Sequence, residues 1–565
     1  MKYDLLSKYS LDINNVLKEY PRPQLRRDSY LNLNGLWKYT INNDGNINEE
    51  FSNDIVVPYC IESYLSGVGK ELKNDEYLIY KKEFVVDSEF LKEITLLHID
   101  KVDQICDVYL NNELVGSSDN GYLPLVLDVS KYIKIGDNRL VVRVKDELNT
   151  DYPYGKQKRK RGGMWYTPVS GIWGSVWLES VSENYIKNLK ITPNIDESTV
   201  RIKVYSDSAN FEVIIKEEDK IIYESKVDGN DFVVKIRDVK LWSPNNPFLY
   251  DLIIRNESDC IESYFAMRKF SCDDKYFYLN NKKCFINGVL DQGYFSDGIY
   301  TPSSYEMYKD DILKMKELGF NTLRKHIKVE PLMFYYYCDM YGMLVIQDMV
   351  NVGEYSFLKH TALPTIGIEK NLMKVSQTAK NNFVNNLKGT IEFLYNAPSL
   401  VCYTIFNEGW GQFDDGEMYN LVKSLDSTRV IDTASGWFKP KDSDVESLHV
   451  YFRKVKLKES NKPIFVSEFG GYSYKVNGHV FNENKEYGYK KYRDRKLFED
   501  GFVELYERDI LNNLENNLAG TIYTQVSDVE DEINGLLTYD RKVCKVNSKR
   551  VKELMDRIYN KFNEM

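Results

Sequence analysis

No apolar run in this sequence approaches the roughly 20 residues that a membrane-spanning helix needs, and basic charge is not in excess. Acidic residues number 85 against 75 lysines and arginines, a net charge of −10, which argues against a general nucleic-acid binder and its basic surface. Cysteine is sparse: eight in 565 residues, at positions 60, 106, 260, 272, 284, 338, 402 and 544, with no CxxC pair and no zinc-ligand spacing. Several lie inside apolar runs, which reads as buried free thiols in a reducing compartment. The opening MKYDLLSKYSLDINN interrupts with acids and amides where a signal peptide has a continuous apolar core. The expectation is a cytoplasmic chain with neither membrane nor nucleic acid as a partner.

What is present is an ordinary globular balance, 43% hydrophobic and 28% charged, in a chain long enough for several cored domains. Aromatic residues make up 14%, which core and sheet positions explain for the most part. Residues 1–180 show short β-prone runs such as Leu36–Ile41, Ile94–Ile99 and Leu140–Val144, cut by turn signals such as Asn42-Asn43-Asp44-Gly45 and Gly136-Asp137-Asn138. This pattern predicts a β-sandwich of jelly-roll type. Residues 181–271 form a second β block of immunoglobulin-like size, with Leu241-Trp242-Ser243-Pro244 as a turn packed by an aromatic. Within the first block, the basic run Lys156–Arg161 reads as a solvated loop. The glycines of Gly162-Gly163-Met164-Trp165-Tyr166 permit it to lean over a neighbouring domain.

From residue 272 strands and helices alternate, the signature of a parallel α/β architecture. Eight candidate strands appear: Cys284–Val289, Asn321–Arg324, Met343–Ile346, Leu400–Phe406, Arg429–Asp432, Ser447–Tyr451, Ile464–Ser467 and Gly520–Thr524. They predict a (β/α)8 barrel over 272–565. Ser303 and Glu306 read as a capping box, with Tyr308, Ile312 and Met315 on one helical face. A further helix falls near 374–395 without a recognisable N-cap. Little helix separates strands five and six.

A barrel presents its chemistry at the C-terminal ends of its strands. Those ends carry Asp291 and Gln292; Arg324 and His326; Gln347 and Asp348; Asn407 and Glu408; Ser435 and Trp437; His449 and Tyr451; Glu468; and Gln525, Asp528 and Glu530. In Ile405-Phe406-Asn407-Glu408-Gly409-Trp410 an apolar run stops on an amide and a carboxylate before a glycine, and Glu468 closes another run. Two glutamates on strands four and seven can face each other across a barrel mouth at the separation of about 5 Å that retaining glycoside hydrolysis requires. One, against apolar walls, would donate a proton; the other would stay ionised and attack.

Specific segments add a resemblance to glycoside hydrolase family two, the β-galactosidases, β-glucuronidases and β-mannosidases. Pro21-Arg22-Pro23-Gln24, Asn32-Leu33-Asn34-Gly35-Leu36-Trp37, Val57-Pro58-Tyr59 and Val108-Tyr109-Leu110-Asn111 resemble the family's opening domain. Asn396-Ala397-Pro398-Ser399-Leu400-Val401, running on to Asn407-Glu408, resembles its acid/base signature, and Ser467-Glu468-Phe469-Gly470 its nucleophile segment. The resemblance implies Glu408 as acid/base, Glu468 as nucleophile and Asn407 as the holder of the sugar 2-hydroxyl. It leaves His326, Arg324, Asp291, Asp348, Trp437, His449, Tyr451, Gln525 and Asp528 as substrate-binding candidates, with Tyr451 steadying Glu468. Departures are equally specific. Arg324-Lys325-His326-Ile327-Lys328-Val329-Glu330-Pro331 differs from the family's segment after strand two, and Tyr403 stands where a tryptophan is usual. The Glu-x-His pair of the magnesium-dependent β-galactosidases is missing, so neither a metal nor any other cofactor is expected. The uronate-binding Asn-x-Lys of β-glucuronidases appears only as Asn482-Glu483-Asn484-Lys485 with broken spacing, leaving Lys485 or loop 156–161 to substitute. The expectation is therefore a retaining exo-β-glycosidase acting on a glycan, with a neutral β-galactoside preferred and uronides the alternative. A catalytically inactive carbohydrate-binding protein is the reading from another class, and a transglycosylase is a third. Family members often form homo-oligomers, but no segment of the sequence indicates an interface.

Overall fold

The computed structural model describes residues 5–368, 371–451 and 453–565; Met1–Asp4 of the opening segment lie outside the described residues. The N-terminal part is a β-sandwich. Its six-stranded sheet runs in the spatial order 53–57, 35–42, 77–86, 136–145, 105–110 and 113–118. The facing sheet orders as 31–32, 176–181, 94–99 and 125–128. Strand alternation explains the packing: Leu140, Val142 and Val144 all point inward from one strand, meeting Trp37, Tyr80, Leu97 and Leu178 in one core. The second sandwich has seven strands, in sheets of three (188–194, 199–205, 231–235) and four (220–228, 210–217, 250–255, 260–265). Here Val200, Ile202 and Val204 are buried, while Arg201, Lys203 and Tyr205 face water. Trp242 is fully buried, its indole N–H donating to Asp339 O at 2.8 Å, and so joins this sandwich to the barrel.

The barrel strands are β1 (Ile286–Asp291), β2 (Thr322–Lys325), β3 (Leu344–Asp348), β4 (Leu400–Asn407), β5 (Val430–Ser435), β6 (Glu446–Val450), β7 (Ile464–Gly470) and β8 (Leu518–Thr524). All paired neighbours are parallel, in the order β5-β4-β3-β2-β1-β8-β7-β6, so the ring has one unladdered seam between β5 and β6. That seam lies where the sequence shows little helix. Asp444, just before β6, closes it with its own groups: its N–H donates to Ile431 O at 2.9 Å, and its carboxylate accepts from Ile431 N at 2.8 Å. β1 begins two residues later than expected because Lys282–Cys284 pairs antiparallel with Phe277–Leu279 in a small sheet that precedes the barrel.

The principal helices are α1 (Glu306–Glu317), α2 (Leu332–Tyr341), α3 (Gln377–Leu394), α4 (Asp415–Leu425), α5 (Arg495–Asp509) and α6 (Ser548–Glu564). On α1, Tyr308, Ile312 and Met315 are buried as the periodicity predicts. The capping box is not made. Helix α1 starts beyond Tyr305 with no side-chain cap, and Ser303 Oγ instead bonds Ser7 Oγ at 2.9 Å. The reverse holds at α3, where Ser376 Oγ accepts from Ala379 N at 3.0 Å and supplies the cap that had not been recognised. Of the cysteines, 60, 106, 338 and 402 are buried, and Cys260 is exposed. Among the described residues no helix is long and apolar enough to cross a membrane.

Candidate active site

Strand β4 delivers Asn407 as its last residue, and the backbone then turns sharply. Glu408 has φ +50° and Gly409 φ +76°, and a β-carbon on Gly409 would lie 2.2 Å from the Phe438 ring. Only glycine fits there, and the turn projects the Glu408 side chain over the mouth. Strand β7 brings Glu468 from the other side. One carboxylate oxygen of each glutamate and a ring nitrogen of His449 lie within 4.8 Å of one another. His449 Nδ1 is 2.8 Å from Glu408 Oε1 and 3.6 Å from Glu468 Oε2. Its Nε2 faces the Arg324 guanidinium at 3.5 Å. A guanidinium can only donate, so Nε2 is the acceptor and Nδ1–H donates to Glu408. Gly436 makes room for this ring, since a β-carbon there would sit 2.9 Å from it.

Arg324 is fully buried at the centre of the site. Its Nε and Nη2 grip both oxygens of Asp348 at 2.9 and 3.0 Å. Nη2 also donates to Asn407 Oδ1 and Ser435 Oγ at 3.0 Å each, and Nη1 to Ser467 O at 3.0 Å and Glu468 Oε1 at 3.1 Å. No donor is left for a sugar. Arg324 and Asp348, both expected as substrate ligands, therefore position other groups instead. Glu468 feels opposing influences: burial works against its charge, but His449, Arg324, His326 and the Tyr451 hydroxyl outweigh it and hold the carboxyl down at about 2. Tyr451 OH donates to Glu468 Oε2 and lies 3.1 Å from Thr524 Oγ1.

Asn407 is oriented by its acceptor side. Its Oδ1 receives both Arg324 and, at 2.8 Å, Ser435 Oγ, so its amide hydrogens point away from these partners. His326 Nδ1 lies 2.7 Å from Asp348 Oδ2. Burial, and then the Lys156 charge, push this imidazole down to about 4, so it is neutral at pH 7 and donates from Nδ1. Trp437 is half-buried, its ring 5.8 Å from that of His449 and its N–H donating to His360 O at 2.6 Å.

Three expected ligands are not brought to this cluster. Asp291 Oδ2 takes Lys325 Nζ at 2.6 Å, and its other oxygen accepts from Gly293 N at 2.9 Å. Lys325 also reaches Glu330 at 2.9 Å, and Glu330 in turn pairs with Lys328 at 2.9 Å. The unusual segment after β2 is thus a buried ionic network, with Ile327 at φ +54°. Asp528 is fully buried against Lys545 Nζ at 2.6 Å. Gln525 is held by Gln292 at 2.8 Å and Asn534 at 2.7 Å. In each case the carboxylate or amide meets a polar neighbour from an adjacent strand end or a nearby loop, a pairing that strand-end position does not disclose. Tyr403 is a core residue whose hydroxyl reaches Asp426 at 3.2 Å.

Ser435 stood out only as a strand-end residue, and Tyr489 was not singled out. Ser435 is the hydroxyl that orients Asn407, and Tyr489 covers Tyr451 with ring centroids 4.3 Å apart. The loop from the first sandwich leans over the barrel: Trp165 stacks on Trp410 at 5.4 Å, and Thr167 N donates to Glu530 Oε1 at 2.8 Å. Trp410 is buried under that ring and does not face solvent as a platform. The Gly162-Gly163 pair permits this approach as expected, both residues adopting positive φ. A cavity of about 400 Å³ beside Arg268, Tyr395 and Arg429 lies at the opposite end of the strands, where β4 and β5 begin.

The family model for the TIM barrel domain of glycosyl hydrolases family 2 matches residues 270–560. The chain belongs to glycosyl hydrolase family 2. The family's galactose-binding domain-like model matches 68–183, and a third family 2 model matches 184–268. Similar curated proteins include a β-galactosidase of Thermoanaerobacter pseudethanolicus, 25% identical over 48% of this chain and 39% of that protein. A putative β-glucuronidase of Formosa agariphila is 24% identical over 77% of this chain and 54% of that protein. The chain thus spans only about half, or less, of the length of these relatives. Among solved structures, the β-D-glucuronidase of Dictyoglomus thermophilum superposes with a TM-score of 0.77 at 19% identity, covering 95% of this chain and 98% of that one. The β-galacturonidase of Eisenbergiella tayi, bound to galacturonate, gives 0.70 at 19% identity over 94% and 98%. These structures share the fold of this family 2 chain from the first sandwich through the barrel.

Proposed function

We propose that this family 2 chain is a retaining exo-β-glycosidase, with Glu468 as nucleophile and Glu408 as acid/base. The observation that carries the reading is the approach of the two carboxylates to within 4.8 Å. Retaining enzymes hold theirs about 5–5.5 Å apart, whereas inverting enzymes need about 6.5–9.5 Å to admit a water. The unequal surroundings of the pair support the division of roles. Glu468, held ionised by Arg324 and Tyr451, attacks the anomeric carbon. Glu408, with Oε1 taken by His449 and Oε2 without a hydrogen bond among the described residues, protonates the glycosidic oxygen as that bond breaks. In the second step Glu408 removes a proton from water, which attacks the anomeric carbon and releases Glu468. The Asn407 amide hydrogens serve the 2-hydroxyl, a contact that strengthens in the transition state, and His326 Nε2 accepts from a further hydroxyl.

The loop carrying Trp165 packs on Trp410, two residues beyond Glu408, and this cover from the first sandwich supports cleavage of a terminal sugar. A binding-only barrel has no use for paired carboxylates, one of them held ionised. The decisive experiment is trapping with a 2-fluoro aryl β-glycoside: the expected result is a mass adduct on Glu468, absent in Glu468→Gln. Turnover by Glu468→Gln at the wild-type rate would refute the assignment.

A further inference from the structure

The basic run 156–161 divides by role. Arg159 donates to the backbone carbonyls of Leu72 and Asp146, and Arg161 to Thr167 Oγ1 at 2.8 Å while facing Glu530 at 3.8 Å. Lys158 and Lys160 are exposed. Lys156 differs from all of these. It is only 7% exposed, and its Nζ lies 5.7 Å from the Trp410 ring centroid and 5.9 Å from that of Tyr166. Among the described residues no carboxylate comes within 4.0 Å of this ammonium and no group accepts a hydrogen bond from it. The other buried lysines around the barrel are all paired: Lys325 with Asp291 and Glu330, Lys328 with Glu330, and Lys545 with Asp528.

The acids at the barrel mouth are occupied elsewhere. Glu530 accepts from Thr167 N, Glu532 from Tyr166 OH and Asn534, Glu408 from His449, and Glu468 from Arg324 and Tyr451. The stem is buried while the ammonium itself keeps contact with solvent, so an anion arriving at the mouth can reach it, and the two aromatic faces favour its charge. Its charge acts directly on His326, whose Nδ1 is 4.0 Å from Glu468 Oε1. The ammonium faces the ring of Trp410, two residues beyond Glu408, on the side of the mouth that the far end of a sugar whose anomeric carbon meets Glu468 can reach. Lys485, in the segment that resembles the broken Asn-x-Lys motif, is exposed.

We propose that Lys156 is the specificity-determining residue for a β-linked uronic acid, pairing its ammonium with the sugar carboxylate. The proposal rests on the Glu408–Glu468 reading and names the substrate class of that same site. It assigns the choice of sugar to a loop of the first sandwich, outside the barrel. A hydroxymethyl group offers one neutral oxygen at this position, whereas a carboxylate offers charge-assisted bonds to the same ammonium.

The test compares the full-length protein with Lys156→Gln and Lys156→Arg on nitrophenyl β-glucuronide and β-galacturonide, each against its neutral counterpart. The wild type should favour the uronides. In Lys156→Gln the uronide-to-neutral ratio of kcat/KM should fall about 10- to 100-fold, chiefly through KM, with partial recovery in Lys156→Arg. A purely structural lysine would lower both activities together, so an unchanged ratio overturns the proposal, as does a wild type that prefers the neutral sugars. Should Lys156→Gln fail to fold, competition in the wild type decides: free glucuronate should inhibit at least tenfold more tightly than glucose, and equal inhibition overturns the proposal. Glu468→Gln separates the two readings. If it is inactive while the ratio stays put, only the role of Lys156 fails; if it retains turnover, the reacting pair itself is wrong.

Discussion

Arg324 and Glu468 are joined by a 3.1 Å hydrogen bond between Nη1 and Oε1, while the same guanidinium holds Asp348 along its other edge. This contact ties the nucleophile candidate on β7 to strands β2 and β3, across the width of the barrel. Replacing Arg324 by Gln should raise the Glu468 carboxyl from about 2 toward the ordinary glutamate value and shift the acidic limb of the kcat/KM profile upward in pH. It also leaves Asp348 buried without its cation, at a cost of about 3–5 kcal/mol. A pH–rate profile with thermal melts checks both effects; an unmoved acidic limb would contradict the role given to Arg324.

Azide separates the two glutamates chemically. Glu408→Ala and Glu468→Ala should each lose activity, by about 10²–10⁴-fold for removal of the proton donor. Added azide should then yield a β-glycosyl azide with Glu408→Ala, because the covalent intermediate still forms, and an α-azide, if any product, with Glu468→Ala. Product stereochemistry by NMR is the readout, and the opposite pattern would exchange the two roles.

Tyr451→Phe removes the hydroxyl that donates to Glu468 Oε2. About 10- to 100-fold should be lost from kcat, in line with one charge-assisted hydrogen bond, with little change in Tm. A loss confined to KM would place Tyr451 in ground-state binding instead.

Asp528 provides the contrasting case. Its bond to Lys545 is fully buried, so Asp528→Ala should destabilise by about 3–5 kcal/mol, the cost of a lone buried cation. The folded fraction should keep the wild-type KM. Denaturant melts and initial rates at low temperature test this, and an altered KM at unchanged stability would restore Asp528 as a substrate ligand.

Glu62 predicts how stability varies with pH. It is fully buried, with one oxygen accepting from Ser170 N at 3.0 Å and the other without a partner among the described residues, and burial pushes its carboxyl up to about 8. Unfolded glutamate titrates near about 4.3. Between those values the folded chain keeps a proton that the unfolded chain has released. The contribution is therefore complete below about 4.3 and is lost as pH rises toward 8. Melting temperature should decline across that range, and Glu62→Gln should flatten the decline. Equal slopes for both proteins would rule the effect out.

Much of this architecture was legible in the sequence because it rests on local periodicity. Strand alternation marks the two sandwiches, and apolar runs ending in polar residues mark the barrel strands, with Glu408 and Glu468 at two of those ends. The boundaries that moved did so through partners distant in sequence. Cys284 left β1 for a small sheet before the barrel, and Ser303 gave up its capping role for Ser7. Residue type and strand-end position were enough to single out both glutamates, Asn407 and the aromatic and histidine residues around them. They could not say which polar groups face the pocket and which face one another. That division depends on long-range pairing: Asp291 with Lys325, Asp528 with Lys545 and Arg324 with Asp348 neutralise charges that would otherwise be available. The same accounting, possible only once the chain has folded, leaves Lys156, a largely buried side chain, without an anionic partner among the described residues.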